Sequence, residues 1–392
     1  MKIAILGTRG IPNSYGGFEQ FAEYLSIGLI NKGHEVTVYN SHNHSYQKDS
    51  WKGVNIVHCY DPEHIIGTAG QFIYDLNCIL DCRKKDFDII LELGYTSSSV
   101  WFKRFLNKRK FIVTTNMDGH EWKRSKYSTT VKKFLRYAEK LAVINSSHLI
   151  ADSITIKSYL KNKYNKQATF IPYGANIFKT PDSRIVEDFG LVPYSYDTLI
   201  ARLEPDNSVE VILDGVAISS SRRTFIVIGN CETKYGLYLR SKFANHENIR
   251  FLNGIYDINV LNNLRYFSNL YFHGHTVGGT NPSLLEAMAS SALICAHDNI
   301  HNASVLADNA YYFANAEQVK HLLDAVKIND CVNQNKIQNN IKKIESSYTW
   351  DMIIDQYIAH FRNIIGLQEP AKEKVKLQLL LSEKFDATVN TQ

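Results

Sequence analysis

The chain has 392 residues, 44% of them hydrophobic and 21% charged, with a formal net charge of +5. That length exceeds one ordinary core and predicts two domains of a folded globular protein, and the mild charge gives no reason to expect nucleic acid as a partner. No run approaches the roughly 18 consecutive apolar residues of a membrane span, and "MKIAILG" leads into a strand and a glycine loop instead of a secretory signal, so a cytoplasmic location is expected. The six cysteines (Cys59, Cys78, Cys82, Cys231, Cys295 and Cys331) are scattered without metal-binding spacing and read as reduced thiols.

In chain order, "KIAIL" predicts a buried strand. "GTRGIPNSYGG" then predicts a loop opening a helix over 18–31, and Gly33 ends that helix before the strand "HEVTVYN". Gly16 and Gly17 stand where a backbone can approach an anion at a helix N-terminus, although the same loop would serve simple tight packing. The strands "VNIVHC", "FDIILEL", "KFIVTTN", "HLIADS" and "TFIPYGA" continue an alternation typical of parallel βαβ units.

Between Lys103 and Lys140 basic residues far outnumber acids. Val131, Phe134, Leu135, Ala138 and Leu141 recur there at helical spacing with Lys132, Lys133, Arg136 and Lys140 between them. Such a helix either packs its apolar stripe on the core or lies on an anionic membrane surface.

The pattern breaks near residue 190 at "FGLVPYSYDT" and restarts with "TLIARLEP", the helix "SVEVILDGVAI" and the strands "TFIVIG", "IRFLNG", "LYFHGH" and "ALICAH". The fold class expected is α/β, with two Rossmann-like doubly wound domains facing a central cleft. The divisions are 1–190 on the acceptor side, 191–349 for the nucleotide sugar, a helix over 350–366 and a tail over 367–392. Ligands of such sheets sit beyond the carboxyl ends of the strands, and three blocks there carry candidate chemistry.

In "HGHTVGGTNPSLLEAMA", Asn281 is a good N-cap and Pro282 a good first helical residue. The backbone N–H groups of Gly279, Thr280 and Ser283, beside Gly278, are then candidates to face a diphosphate. Glu286 is placed to accept hydrogen bonds from sugar hydroxyls, or alternatively complements the helix dipole. In "ARLEPDN", Arg202 offers a permanently charged planar fork suited to diphosphate oxygens. In "TTNMDGHEWKRSKYS", Asp118, His120 and Glu121 cluster where the first domain meets the cleft; Asp118 could orient or deprotonate an acceptor hydroxyl, or Asp118-Gly119 could be a turn.

These blocks together resemble the GT-B glycosyltransferases, specifically the large retaining family 4, over about residues 1–366. "SYGGFEQFAEYL" resembles the family's glycine loop, "ARLEPDN" its arginine segment, and "NPSLLEAMA" its glutamate helix. "YTWDMIIDQYIAHF" looks like the C-terminal helix that crosses back to the first domain. "GTRGIPNSYGGFEQF", "MDGHEWKRSKYS" and "HGHTVGGTNPSLLEAMA" look like the branch that builds rhamnose linkages in bacterial capsule and O-antigen.

The resemblance implies transfer of L-rhamnose from dTDP-β-L-rhamnose to a glycan acceptor carried on a lipid diphosphate, with retention, no metal, and a possible contact with the inner membrane. It implies catalytic roles for Asp118, Arg202 and Glu286. Donor binding would fall to Gly16, Gly17, Arg202, Asn207, Gly278, Gly279, Thr280, Asn281 and Glu286, and the acceptor side to Asp118, His120 and Glu121. Two departures stand out: Gly278 occupies the position of the first carboxylate in the family's Glu-x7-Glu pair, and Asn207 replaces its lysine. The first departure fits a changed donor sugar, such as a 6-deoxy sugar. A UDP-hexose donor, a nucleotide-sugar epimerase and a non-catalytic sugar-nucleotide sensor are the competing readings. A nicotinamide dehydrogenase is disfavoured, because the first loop lacks G-x-G-x-x-G spacing and no acid ends the second strand.

Overall fold

The computed structural model describes residues 1–14, 16–106 and 110–366; the tail expected over 367–392 lies outside the described residues. Two sheets organise the chain. The first contains β1 (Lys2–Leu6), β2 (Glu35–Ser41), β3 (Ser50–Trp51), β4 (Val54–Cys59), β5 (Ile89–Leu93), β6 (Val113–Asn116), β7 (His148–Ala151) and β8 (Thr169–Phe170). Their spatial order is β3-β4-β2-β1-β5-β6-β7-β8, parallel throughout except for β3 against β4.

The second sheet contains β9 (Tyr196–Ile200), β10 (Thr224–Ile228), β11 (Ile249–Leu252), β12 (Leu270–His273), β13 (Ile294–His297) and β14 (Tyr311–Phe313), in the order β11-β10-β9-β12-β13-β14 and all parallel. Both sheets are doubly wound, growing outwards from β1 and β9 in two directions, so each has a switch point where loops splay to leave a crevice. The sequence did not mark β3 or β14. One is two residues long and the other three, too short to show a period of their own.

The strands read as continuous apolar runs because helices cover both faces of each sheet. Ile89, Ile90, Leu91, Glu92 and Leu93 of β5 are all buried, for example. The helix over residues 350–366 belongs with the first sheet. Its Ile353, Ile354, Tyr357, Ile358, Phe361 and Ile364 recur at helical spacing and join Ile3, Phe21, Leu25 and Leu29 in one core. Its approach to the helix Gly17–Asn31 demands a glycine: a Cβ at Gly28 would lie 2.1 Å from Cδ1 of Ile354. Trp350 stacks on Tyr24 at 4.6 Å, and both ring nitrogens of His360 are taken, by Thr114 at 2.9 Å and Thr169 at 3.1 Å.

The basic amphipathic segment forms the helix Thr129–Asn145, which packs part of its apolar stripe on the core. Leu135, Ala138, Ala142 and Val143 are buried, and the last three share a core with Tyr95, Met117 and Leu149. Of the apolar positions the sequence singles out, Leu135 and Ala138 are buried, Phe134 and Leu141 are half-buried and Val131 is exposed, while Lys133 and Lys140 stay exposed. No helix among the described residues is long and apolar enough to cross a membrane.

Candidate active site in the interdomain cleft

The carboxyl ends of the two sheets face each other across a cavity of about 940 Å³. On the second-domain side, Arg202 follows β9 and lines this cavity. Its guanidinium forms no salt bridge among the described residues, whereas Arg9, Arg124 and Arg265, which line the same cavity, each hold a carboxylate. Asn207 is buried and does not line the cavity. Its Nδ2 donates to the Arg202 carbonyl at 2.7 Å, so it braces the arginine's backbone instead of meeting a ligand.

The loop 278–281 enters the helix Pro282–Ala289 as the sequence predicts, with Asn281 as its N-cap. The cap consumes one expected donor, because the Ser283 N–H is held by Asn281 Oδ1 at 2.9 Å. Thr280 serves as a clasp between domains, its hydroxyl donating to the Asp152 carbonyl at 2.6 Å. Gly278 sits at φ +144°, a conformation side chains with a Cβ rarely adopt. The loop's backbone itself thus leaves no ready place for a glutamate there.

Glu286 is held from both domains. Its Oε2 accepts from the buried Arg265 Nη2 at 2.6 Å, and its Oε1 accepts from Gln20 Nε2 of the opposite domain at 2.8 Å. Arg265 is 1% exposed and also donates to Asn262 at 3.0 Å, while its Nε has no partner.

From the first domain, Gly16 and Gly17 reach the cavity at the start of the helix Gly17–Asn31. Gly16 is extended at φ −167°, so positive φ does not explain this glycine. A Cβ on Gly17 would come within 3.8 Å of Pro282, which places the two helix starts face to face across the cleft. Asp118 lines the cavity at φ +47°, a left-handed position that aspartate tolerates better than most residues. Burial and the neighbouring Glu121 raise its pKa to about 6, against the opposing pull of the Gly119 N–H, Arg124 and Arg202. Glu121 also lines the cavity, bound to Arg124 Nε at 2.7 Å.

His120 does not reach the cavity. It is buried against Tyr159, with ring centroids 4.3 Å apart, and burial lowers its pKa to about 4, so it is a neutral packing group here. The acceptor side expected at Asp118, His120 and Glu121 is therefore split, with the two acids in the cleft and the histidine behind it.

The two halves touch closely. A Cβ on Gly119 would lie 2.5 Å from Cα of Gly278, and the Ser125 N–H donates to both Asp206 carboxylate oxygens, at 3.0 and 3.1 Å. Asp152, at the end of β7, meets the Gly279 backbone so tightly that a Cβ there would fall 2.0 Å from its Oδ1. It is 1% exposed and neither carboxyl oxygen has a hydrogen-bond partner. Burial, reinforced by Asp118, pushes its pKa well up, against the opposing pull of its own and the Thr280 backbone N–H.

Sequence reasoning missed Gln20, Arg265, Asp152 and the buried Glu92. A signal did exist for two of them, since Glu92 in "IILEL" and Asp152 in "LIADS" are lone carboxylates at the ends of otherwise apolar strands. Among the described residues no group of three or more His, Cys, Asp or Glu side chains is arranged to hold a metal ion.

Comparison with known proteins fixes the architecture. A family model described as a domain of unknown function (DUF1972) matches residues 1–176. No curated protein sequence matches the chain. Among solved structures, sucrose-phosphate synthase from Thermosynechococcus elongatus superposes with a TM-score of 0.77 at 14% identity, covering 93% of this chain and 99% of that one. HepE from Anabaena in complex with UDP and glucose gives a TM-score of 0.72 at 15% identity, covering 92% and 99%. A UDP-forming α,α-trehalose-phosphate synthase from Burkholderia xenovorans, in complex with glucose-6-phosphate, gives 0.71 at 10% identity, covering 92% and 100%. The chain therefore has the GT-B fold.

Proposed function

We propose that this protein is a glycosyltransferase that takes a sugar from a nucleoside diphosphate donor. On the motif resemblance, the reaction is L-rhamnosyl transfer from dTDP-β-L-rhamnose to a glycan acceptor carried on a lipid diphosphate. The observation that carries the reading is Arg202, a guanidinium that forms no salt bridge among the described residues and lines the cleft that the glycine loop 278–281 also lines. A diphosphate would pair with this guanidinium, and Arg202 would stabilise the charge that develops as the bond to the sugar breaks. Glu286, held from two sides, would present its carboxylate edge to ribose or deoxyribose hydroxyls.

In the step proposed, the anomeric C–O bond to the diphosphate breaks and a bond from the acceptor oxygen to that carbon forms on the same face. The departing phosphate oxygen takes the acceptor's proton, and Asp118 orients the acceptor from across the cleft. A β-linked donor would then give a β-linked product.

The superposition on nucleotide-bound HepE and on sugar-bound trehalose-phosphate synthase supports a nucleotide-sugar enzyme in general, while rhamnose rests on the sequence blocks alone. Calorimetric titration with dTDP, UDP and GDP, then with the matching nucleotide sugars, tests it. Preferred binding of dTDP and dTDP-rhamnose, weakened in Arg202→Ala, is the expected result. Preference for UDP would overturn the donor, and binding of none would overturn the activity. An α-linked product from the β-donor would overturn retention.

A further inference from the structure

The first-domain floor of the cleft holds a second set of polar groups that the donor site leaves unused. Glu92 ends β5, is 1% exposed and lines the cavity, and its Oε2 has no hydrogen-bond partner. Tyr95, three residues on, is 2% exposed and lines the same cavity, and its hydroxyl also lacks a partner. A buried hydroxyl or carboxyl without a partner costs about 1–3 kcal/mol, so each marks a point on the cavity wall where another molecule would complete the bonding. Glu92 has Asp75 and Ser98 beside it, and Tyr95 has Asp118 and Glu121. Gly7 clears the space: at φ +82°, a Cβ there would lie 2.8 Å from Glu92 Oε1.

The chemistry of the floor narrows the occupant. Asp75 faces Glu92 and lines the cavity. The nearby cation, Arg9, is engaged by Glu63 through two bonds of 3.1 and 2.8 Å. No other lysine or arginine among the cavity-lining residues comes from the β1 and β5 loops that form this floor.

We infer that Glu92, Tyr95 and Asp75 form the acceptor subsite and that it accepts an uncharged, hydroxyl-bearing sugar ring and excludes a sugar phosphate. The inference rests on the glycosyltransferase reading and adds the acceptor's class to it. Burial, reinforced by Asp75, raises the Glu92 pKa well above the usual range, so the pair offers both a carboxylic O–H donor and acceptor oxygens, which is what sugar hydroxyls require. A phosphate would meet carboxyl groups and no free cation. The diphosphate of a lipid-linked acceptor would accordingly lie outside this floor, with the terminal sugar inside it.

Tyr95→Phe and Glu92→Gln test the assignment with little change in shape. Saturation-transfer NMR and calorimetry would follow methyl α-L-rhamnopyranoside, methyl β-D-galactopyranoside, N-acetylglucosamine, glucosamine and glucose 6-phosphate, with and without saturating dTDP or UDP. At least one neutral sugar is expected to bind, and to weaken by roughly 2- to 10-fold in each variant while nucleotide affinity holds.

The inference is overturned if no neutral sugar binds, if the variants bind neutral sugars as tightly as the wild type, or if glucose 6-phosphate or glucosamine binds more tightly than the neutral sugars. Absence of nucleotide binding would overturn the glycosyltransferase reading and leave the sugar-binding floor to be decided separately. The titrations without nucleotide would still decide the subsite.

Discussion

Replacing Glu286 should unfold as well as disarm. Arg265 is 1% exposed, and its partner's oxygen lies 2.6 Å away, so Glu286→Ala leaves a buried guanidinium with only uncharged neighbours such as Asn262 and Tyr271 to hold it. Breaking a buried pair from one side costs about 3–5 kcal/mol. At roughly 2–4 °C per kcal/mol for a domain of this size, the melting temperature should fall by about 6–20 °C. Replacing both partners by apolar groups of similar volume removes the uncompensated charge, so Glu286→Met with Arg265→Met should recover most of the loss.

Thermal melts of the two single variants and the double, followed by circular dichroism, give the cycle. A Glu286→Ala protein that melts within about 1 °C of wild type would refute the reasoning. So would a double variant as unstable as the sum of the singles, because the cost would then not come from the stranded charge. The outcome also governs how ligand binding is read: loss of affinity in Glu286→Ala mixes folding with recognition, whereas Arg202 forms no salt bridge among the described residues that its removal would break.

Arg202→Ala should therefore weaken nucleotide binding by roughly 10- to 100-fold, the worth of a charge-assisted contact, with an unchanged melt. An equal fall in stability would show that the arginine is structural. Gly279→Ala should push the loop from Asp152, where the new Cβ would fall 2.0 Å from Oδ1; small-angle scattering should report a wider interdomain spacing, and an unchanged profile would count against the contact. Asp75 has its pKa raised to about 7, chiefly by burial and then by Asp61. The folded state thus holds a proton that the unfolded chain releases near pH 4, so stability should fall as pH rises from about 4 to about 7. Asp75→Asn should flatten that fall, and an unaltered melt-versus-pH curve would contradict the shift. If donor hydrolysis needs the Asp118 carboxylate, whose pKa is about 6, its rate should rise with pH through that value and lose this limb in Asp118→Asn.

Much of the fold was legible because its signals are local. Buried parallel strands are apolar runs, the helix Pro282–Ala289 announces itself by Asn281 and Pro282, and the apolar positions of 350–366 repeat at helical spacing. The lining of the cleft was partly legible for the same reason, since Arg202 and the glycine loop follow strand ends and both line the cavity. What the chain alone could not show is pairing across distance. Gln20 and Glu286 are 266 positions apart, and neither residue's neighbours hint at the other. His120 misled because its neighbours in sequence, Asp118 and Glu121, do line the cleft, whereas a bend after Gly119 turns the imidazole towards Tyr159.

The two departures from the family pattern acquire a common physical sense in the structure. A lysine at 207 would have to abandon the buried amide bond that holds the Arg202 carbonyl at 2.7 Å. A glutamate at 278 would have to adopt φ +144° beside Gly119 of the other domain. Each substitution removes a charged side chain from the cleft and replaces it with a backbone arrangement, one bracing the arginine segment and the other letting the domains meet glycine to glycine. Under the proposed reaction, diphosphate recognition then falls on one guanidinium and the loop's N–H groups, and sugar recognition on groups offered from the first domain. Reintroducing lysine alone, as Asn207→Lys, should consequently weaken nucleotide binding by disturbing Arg202, where simple addition of positive charge would strengthen it. Calorimetry with dTDP and UDP separates the two, and tighter binding would refute the bracing role of Asn207.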